Sequence, residues 1–120
     1  MGNALTALAA TIAFLAGAAA QAPTTNPVAP SSESVARGKN TYLRHCQDCH
    51  GPEGHGDSAI AVAADLTRPN TWKQGAADQK LFASIADGAG DNMPSLKADL
   101  RDNEIWDVIN FIRSIGPKPQ

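Results

Sequence analysis

The chain has 120 residues, enough for one small domain, and a formal net charge of −2. That balance gives no electrostatic case for nucleic acid as a partner. Aromatic residues make up only 5% of the chain, so a domain of this size has a thin core of its own.

Residues 1–20 form a separate uncharged segment running through Leu5, Leu8, Ile12, Phe14 and Leu15 to Ala18-Ala19-Ala20. The small residues fit an A-x-A cleavage site before Gln21, as in a secretory signal peptide. The segment lacks the Lys or Arg that usually opens such a signal. The alternative is an N-terminal membrane anchor through residues 4–20, near the lower length limit for spanning a bilayer. Both readings place the rest of the chain on the exported side of a membrane. Residues 21–33 contain Pro23, Pro27 and Pro30 with several Ser and Thr, and read as an extended, disordered linker outside the domain core.

The folded domain is expected over residues 34–116, with 117–120 as a C-terminal tail. A first helix runs from about Ser34 to Cys46, with Val35, Gly38, Tyr42 and Leu43 at helical spacing and Ser34 or Ser32 as cap. Gly38 inside a helix costs roughly 1 kcal/mol against Ala, so close approach of another helix is expected there. The helix leads into Cys46-Gln47-Asp48-Cys49-His50. C-x-x-C-H is the attachment signature of c-type haem. Two thiols on one turn can each add across a porphyrin vinyl group, and His50 then lies under the iron as proximal ligand. The rival readings are weaker. A thioredoxin-type pair follows a strand, and none precedes Cys46. A zinc site wants four ligands, which only His45, His50 and His55 could help complete. A plain disulfide leaves the remaining features unexplained. Both cysteines are used by the haem motif, so none is left for a structural bridge.

The stretch from Gly51 to Ala76 is rich in Gly, Pro, Asp and Asn and reads as a loop wrapping the cofactor edge. A short helix follows at about 78–87, with Asp78 as cap, Leu81, Phe82 and Ile85 on one face and Gly88 as its stop. The last helix spans about 102–115. Ile105, Val108, Ile109, Ile112 and Ile115 form its amphipathic stripe, Asp102 caps it, and Gly116-Pro117 ends it. No segment alternates with period two, so the domain is all-α.

Between these two helices lies Gly88-Ala89-Gly90-Asp91-Asn92-Met93-Pro94. Pro94 pushes Met93 out of helical geometry, and the glycines let the loop lie close to a flat surface. A lone Met is usually core filler, but a polar, Gly-rich loop is a poor place for filler. Met93 is therefore the expected distal ligand, ahead of His55, which is only five residues beyond His50. Met/His ligation raises the potential and fills both axial positions, which argues for electron transfer rather than catalysis. An enzyme or gas sensor would need a labile Met93 and a distal His or Arg, and none can be assigned.

With these pieces placed, the domain resembles class I cytochrome c, as found in domains attached to oxidases and periplasmic dehydrogenases. The matching pieces are Gly38-x-x-x-Tyr42, Cys46 to His50, the run from Gly51-Pro52 through Gly54-His55-Gly56-Asp57, Ala64-Asp65-Leu66, Met93-Pro94 and Glu104 to Ile112. The resemblance implies an all-α cytochrome c fold of three or more helices wrapped around one covalent haem c. It implies that the first and last helices cross at Gly38. Many members carry a proline before the loop leucine whose carbonyl accepts the proximal His N–H. Here Ala63-Ala64-Asp65-Leu66 stands instead, leaving the acceptor open. Arg68 and Trp72 are candidates for the haem propionates. The implied function is a non-enzymatic, periplasmic monohaem electron carrier, soluble or tethered to the inner membrane. Its partners would be a redox donor and acceptor, docking transiently or within a membrane respiratory complex.

Overall fold

A computed structural model describes residues 20–117, together with the isolated positions 2, 12, 13 and 17. The signal-or-anchor segment falls almost wholly outside the described residues. Among the described residues no helix is long and apolar enough to cross a membrane.

Four α-helices carry the domain: α1 (Ser32–His45), α2 (Gln47–His50), α3 (Asp78–Asp87) and α4 (Asp102–Ile115). A single 3₁₀ turn, Pro69–Thr71, interrupts the long loop between α2 and α3. The described residues contain no strand; an isolated bridge pairs Ala89 with Met93.

α4 forms the centre. Its stripe of Ile105, Val108, Ile109 and Ile112 is buried, and α3 lays Leu81, Phe82 and Ile85 against it. Phe82 and Trp106 stack at 4.4 Å between ring centroids. α1 crosses the other side of α4. A Cβ built on Gly38 would overlap the Asp107 carbonyl oxygen and lie 3.0 Å from the Phe111 Cβ, so only glycine lets the two backbones come this close. Tyr42 then meets Phe111 at 5.1 Å, and Cys46 joins these two in a second core cluster. Leu66, from the long loop, packs against both clusters.

A buried polar network locks the crossing. Asp107 accepts from Ser34 Oγ (2.6 Å) and from Arg37 through Nε (2.7 Å) and Nη2 (2.9 Å). Burial pushes the Asp107 carboxyl up, but the Arg37 and Ser34 hydrogen bonds outweigh it and hold the group below its usual range. Asp107, buried where α4 meets α1, thus stays ionised because its partners come with it.

The expected caps shift by a residue. Ser31, not Ser34 or Ser32, caps α1, its hydroxyl accepting from the Ser34 N–H at 3.1 Å. α3 and α4 begin one residue past their caps, Ala77 and Arg101. Asp78 instead accepts from Arg113 Nη2 at 2.7 Å and from the Asn26 N–H at 2.9 Å. Glu104 reaches back to the Arg101 N–H at 2.9 Å.

The free linker expected over residues 21–33 is corrected by the fold: from Ala22 onward it is docked. Ala22 and Val28 pack against the α3–α4 core. Gln79 Nε2 donates to the Ala22 carbonyl at 3.1 Å. Asn26 Nδ2 donates to the Trp106 carbonyl (3.0 Å) and to Asn110 Oδ1 (2.9 Å), while Asn26 Oδ1 accepts from the Val28 N–H (2.9 Å). Asn110 Nδ2 returns to the Val28 carbonyl at 3.0 Å. Hydrogen bonding of two Asn side chains, together with the packing of Ala22 and Val28, overrides the disordered composition. Asn26→Ala removes several of these bonds at once. It should destabilise the domain by about 1–3 kcal/mol and leave residues 21–30 sensitive to protease. Urea unfolding and limited proteolysis check this; an unchanged midpoint would mean the segment lies on the surface without contributing.

Candidate functional site

The C-x-x-C-H run straddles a break in the chain. At Cys46 the backbone leaves the α1 path (φ −120°, ψ −35°), and α2 begins with Gln47. The Cys46 N–H still closes α1 on the Tyr42 carbonyl at 2.8 Å. Cys46 is buried, Cys49 is half-buried, and the two are not joined as a disulfide. Burial first, and then the nearby Cys49, push the Cys46 thiol up to about 12. A thioredoxin-type pair lowers a thiol's pKa to make a nucleophile, and burial of Cys46 acts in the opposite direction. Among the described residues no cluster of three or more Cys, His, Asp or Glu could hold a metal ion, and the zinc reading finds no support there.

His50 ends α2. Its Nδ1 donates to the Ala64 carbonyl at 3.0 Å. A carbonyl only accepts, so Nδ1 carries the proton and Nε2 is left with the lone pair a metal needs. The acceptor that the sequence leaves open is therefore Ala64, which serves without a proline. The loop bringing Ala64 there is pinned repeatedly. Tyr42 donates its hydroxyl to the Gly51 carbonyl at 2.5 Å, the Gly56 N–H reaches the His50 carbonyl at 2.7 Å, and the Leu66 N–H reaches the Gly54 carbonyl at 2.6 Å.

His55 sits in the same loop. It is exposed, with Nδ1 3.7 Å from Asp65 Oδ1. That puts it beside the residues that orient His50. His45 ends α1 and is exposed. Trp72 Nε1 donates to the Asp65 carbonyl at 2.8 Å, so its one donor is spent on the loop and not on a propionate. Arg68 remains exposed.

Met93 is half-buried and packs against the α3–α4 core, as do Leu66, Trp72 and Leu96. Its loop is fixed on both sides. Ala89 and Met93 exchange backbone hydrogen bonds at 3.1 and 3.2 Å. Beyond Pro94, the Leu96 and Lys97 N–H groups close on the Ile85 and Ala86 carbonyls, each at 3.1 Å. These carbonyls are the unpaired end of α3, so the helix terminus itself anchors the Met93 loop.

The donor set fits haem c: two unpaired thiols one helical turn apart, an imidazole with Nε2 free, and a thioether on an anchored loop beside half-buried apolar side chains. Fold and site together define a c-type cytochrome domain with covalently bound haem c and a role in electron transfer. A family model described as cytochrome c oxidase, cbb3-type, subunit III matches residues 33–112, and the chain belongs to that family. Two cbb3-type cytochrome c oxidase subunits CcoP resemble it. The one from Rubrivivax gelatinosus is 25% identical over 93 residues, covering 77% of this chain and 29% of that protein. The one from Azospirillum sp. (strain B510) is 28% identical over 95 residues, covering 76% and 32%. The chain thus spans about a third of the length of these relatives. Among solved structures, a reducing HAO-like protein complex of Kuenenia stuttgartiensis aligns with a TM-score of 0.70 at 25% identity, covering 80% of this chain and 50% of that one. Cytochrome cL of Methylophaga aminisulfidivorans aligns at 0.62 and 26%, covering 70% and 54%.

Proposed function

We propose that this domain is a monohaem electron carrier, acting on the exported side of a membrane and passing electrons between redox proteins without catalysing a reaction of its own. Cys46 and Cys49 would hold the haem through thioethers, and His50 Nε2 and the Met93 sulfur would ligate its iron. When bound, the haem supplies one-electron ferric–ferrous chemistry. The chain's residues position and tune it. Ala64 orients His50 and raises its basicity through the Nδ1 hydrogen bond. As a ligand, Met93 would keep exogenous molecules off the iron. The observation that carries the reading is the His50–Ala64 bond inside an unbridged C-x-x-C-H motif, because it assigns the tautomer a metal-ligating histidine requires.

The relatives support partners within a respiratory assembly: two are named oxidase subunits and one neighbour is part of a complex. A transient encounter with a small interface serves equally for a freely diffusing carrier. The test is made on the exported protein. Intact mass should show one added haem, a pyridine haemochrome spectrum should be of c type, and acidified organic solvent should not extract the haem. Film voltammetry should show one reversible one-electron couple. Extractable haem, or no reversible couple, would overturn the proposal.

A further inference from the structure

Tyr42 touches the C-x-x-C-H run at both ends. Its backbone carbonyl accepts from the Cys46 N–H at 2.8 Å, which closes α1 on the first cysteine. Its hydroxyl donates to the carbonyl of Gly51, the residue directly after His50, at 2.5 Å. Packing does not explain that hydroxyl. The ring lies 5.1 Å from Phe111 between centroids, and a phenylalanine would fill the same space. Protein atoms alone leave Tyr42 with no exposed surface. A hydroxyl taken this far from water needs an acceptor, and Gly51 supplies it. Burial pushes the phenol up to about 12, so it remains a donor at neutral pH.

The Gly51 carbonyl begins a short relay. It also accepts from the Gly54 N–H at 3.2 Å, forming a tight turn. The Gly54 carbonyl in turn accepts from the Leu66 N–H at 2.6 Å. Leu66 stands two residues after Ala64, whose carbonyl takes the His50 Nδ1 proton at 3.0 Å. A Cβ on Gly54 would lie 3.5 Å from the Leu66 Cβ and 3.6 Å from the Tyr42 hydroxyl oxygen, so the hydroxyl and the returning chain flank the same glycine. The Gly56 N–H ties the far side of the turn to the His50 carbonyl at 2.7 Å. Tyr42 therefore fixes to α1 the turn on which both His50 and its acceptor depend.

We propose that Tyr42 is a positioning residue: its hydroxyl, through the Gly51 carbonyl, holds the turn that keeps the Ala64 carbonyl on His50 Nδ1, and so sets how strongly His50 donates to the iron. The inference rests on the reading of His50 as a haem ligand. A firm Nδ1–H···O bond makes the imidazole more basic and favours ferric iron. Releasing the turn weakens that bond, and the midpoint potential rises. The sign is opposite to the one expected from losing a thioether ligand.

The test is made on the haem-loaded protein. Tyr42→Phe is compared with Phe111→Leu, which loosens the same ring contact without touching the hydroxyl. Both should lower the urea midpoint. Only Tyr42→Phe should raise the voltammetric midpoint. Only it should speed solvent exchange of the His50 Nδ1 proton, by about tenfold, as followed by NMR of the ferrous protein. The far-red band of thioether-bound ferric haem should persist in both. The chain has a single tyrosine, so meta-fluorotyrosine supplied during expression replaces Tyr42 alone. Its more acidic phenol is a stronger donor of nearly the same shape, and should give slower exchange and a lower midpoint. Wild-type midpoint and exchange in Tyr42→Phe, or equal shifts in Phe111→Leu, would overturn the proposal and leave the hydroxyl as a clamp on the fold. Loss of the far-red band in Tyr42→Phe would also overturn it, because the change would then lie at Met93. Where Tyr42→Phe attaches no haem, the fluorotyrosine protein decides, and wild-type values in it overturn the proposal. Extractable haem, or no reversible couple, in the wild-type protein would remove the electron-carrier reading itself.

Discussion

Gly38→Ala is expected to destabilise the domain by about 1–3 kcal/mol, read as a lower urea midpoint at unchanged slope. At an exposed helical position the same change would stabilise by roughly 0.8–1.0 kcal/mol, through helix propensity alone. The sign therefore decides. The new methyl would overlap the Asp107 carbonyl oxygen, a backbone atom that cannot rotate away. α1 and α4 would have to separate. That separation loosens the Tyr42–Phe111 contact and the Ser34 and Arg37 bonds to Asp107 together. Lys39→Ala, one residue along on the exposed face, serves as control and should change little. A Gly38→Ala midpoint at or above wild type would show that the helices do not meet this closely.

Met93→Ala should change the redox chemistry while leaving the fold in place. If the Met93 sulfur is the distal ligand, the ferric protein shows a weak far-red band characteristic of thioether-bound haem, and the variant loses it. The ferrous variant should bind carbon monoxide where the wild type does not. Its midpoint should fall by a substantial fraction of the roughly 0.8 V that axial ligands span, because water or hydroxide stabilises ferrous iron less than a thioether does. Covalent attachment should survive, since Cys46, Cys49 and His50 are untouched. The loop should keep its shape, because its bonds to Ile85 and Ala86 are made by the backbone of Leu96 and Lys97. An unchanged band and midpoint would pass the sixth position to another residue. His55 is a poor heir, as it lies beside Asp65 in the loop that holds His50.

The helices are legible in the sequence because their signals are periodic and local. The stripe from Ile105 to Ile112 and the Gly88 stop give α4 and α3 with the boundaries the structure shows. Gly38 is legible because a glycine with no local excuse in a helix asks for a neighbour. The features that stay hidden depend on backbone atoms and distant partners. The Ala64 carbonyl that orients His50 is present in every residue type, so no side chain advertises it. α2 starts anew only because the chain turns at Cys46, and a five-residue motif carries no periodicity from which to read a turn. Caps are hard to place where several candidates adjoin, as in Ser31-Ser32-Glu33-Ser34. Asp78 looks like a cap because its bonds to Asn26 and Arg113 span 52 and 35 residues and leave no local trace. The docked segment is hidden for the same reason: Asn26 binds groups 80 and 84 residues away, and its local composition is that of a linker.

That docked segment also sets the domain's leash. Residues 21–33 as a free extended chain would reach on the order of 45 Å, letting the domain sweep a wide volume around any upstream attachment point. With Ala22, Asn26 and Val28 fastened to α3 and α4, nearly all of that slack is wound in. Any pull from upstream enters the domain at Ala22 and Gln79, on the α3 side, and is carried into α4 through Asn110. The direction in which a pull on Ala22 would turn the α2 face is then set by the fold rather than by a free segment over residues 21–33.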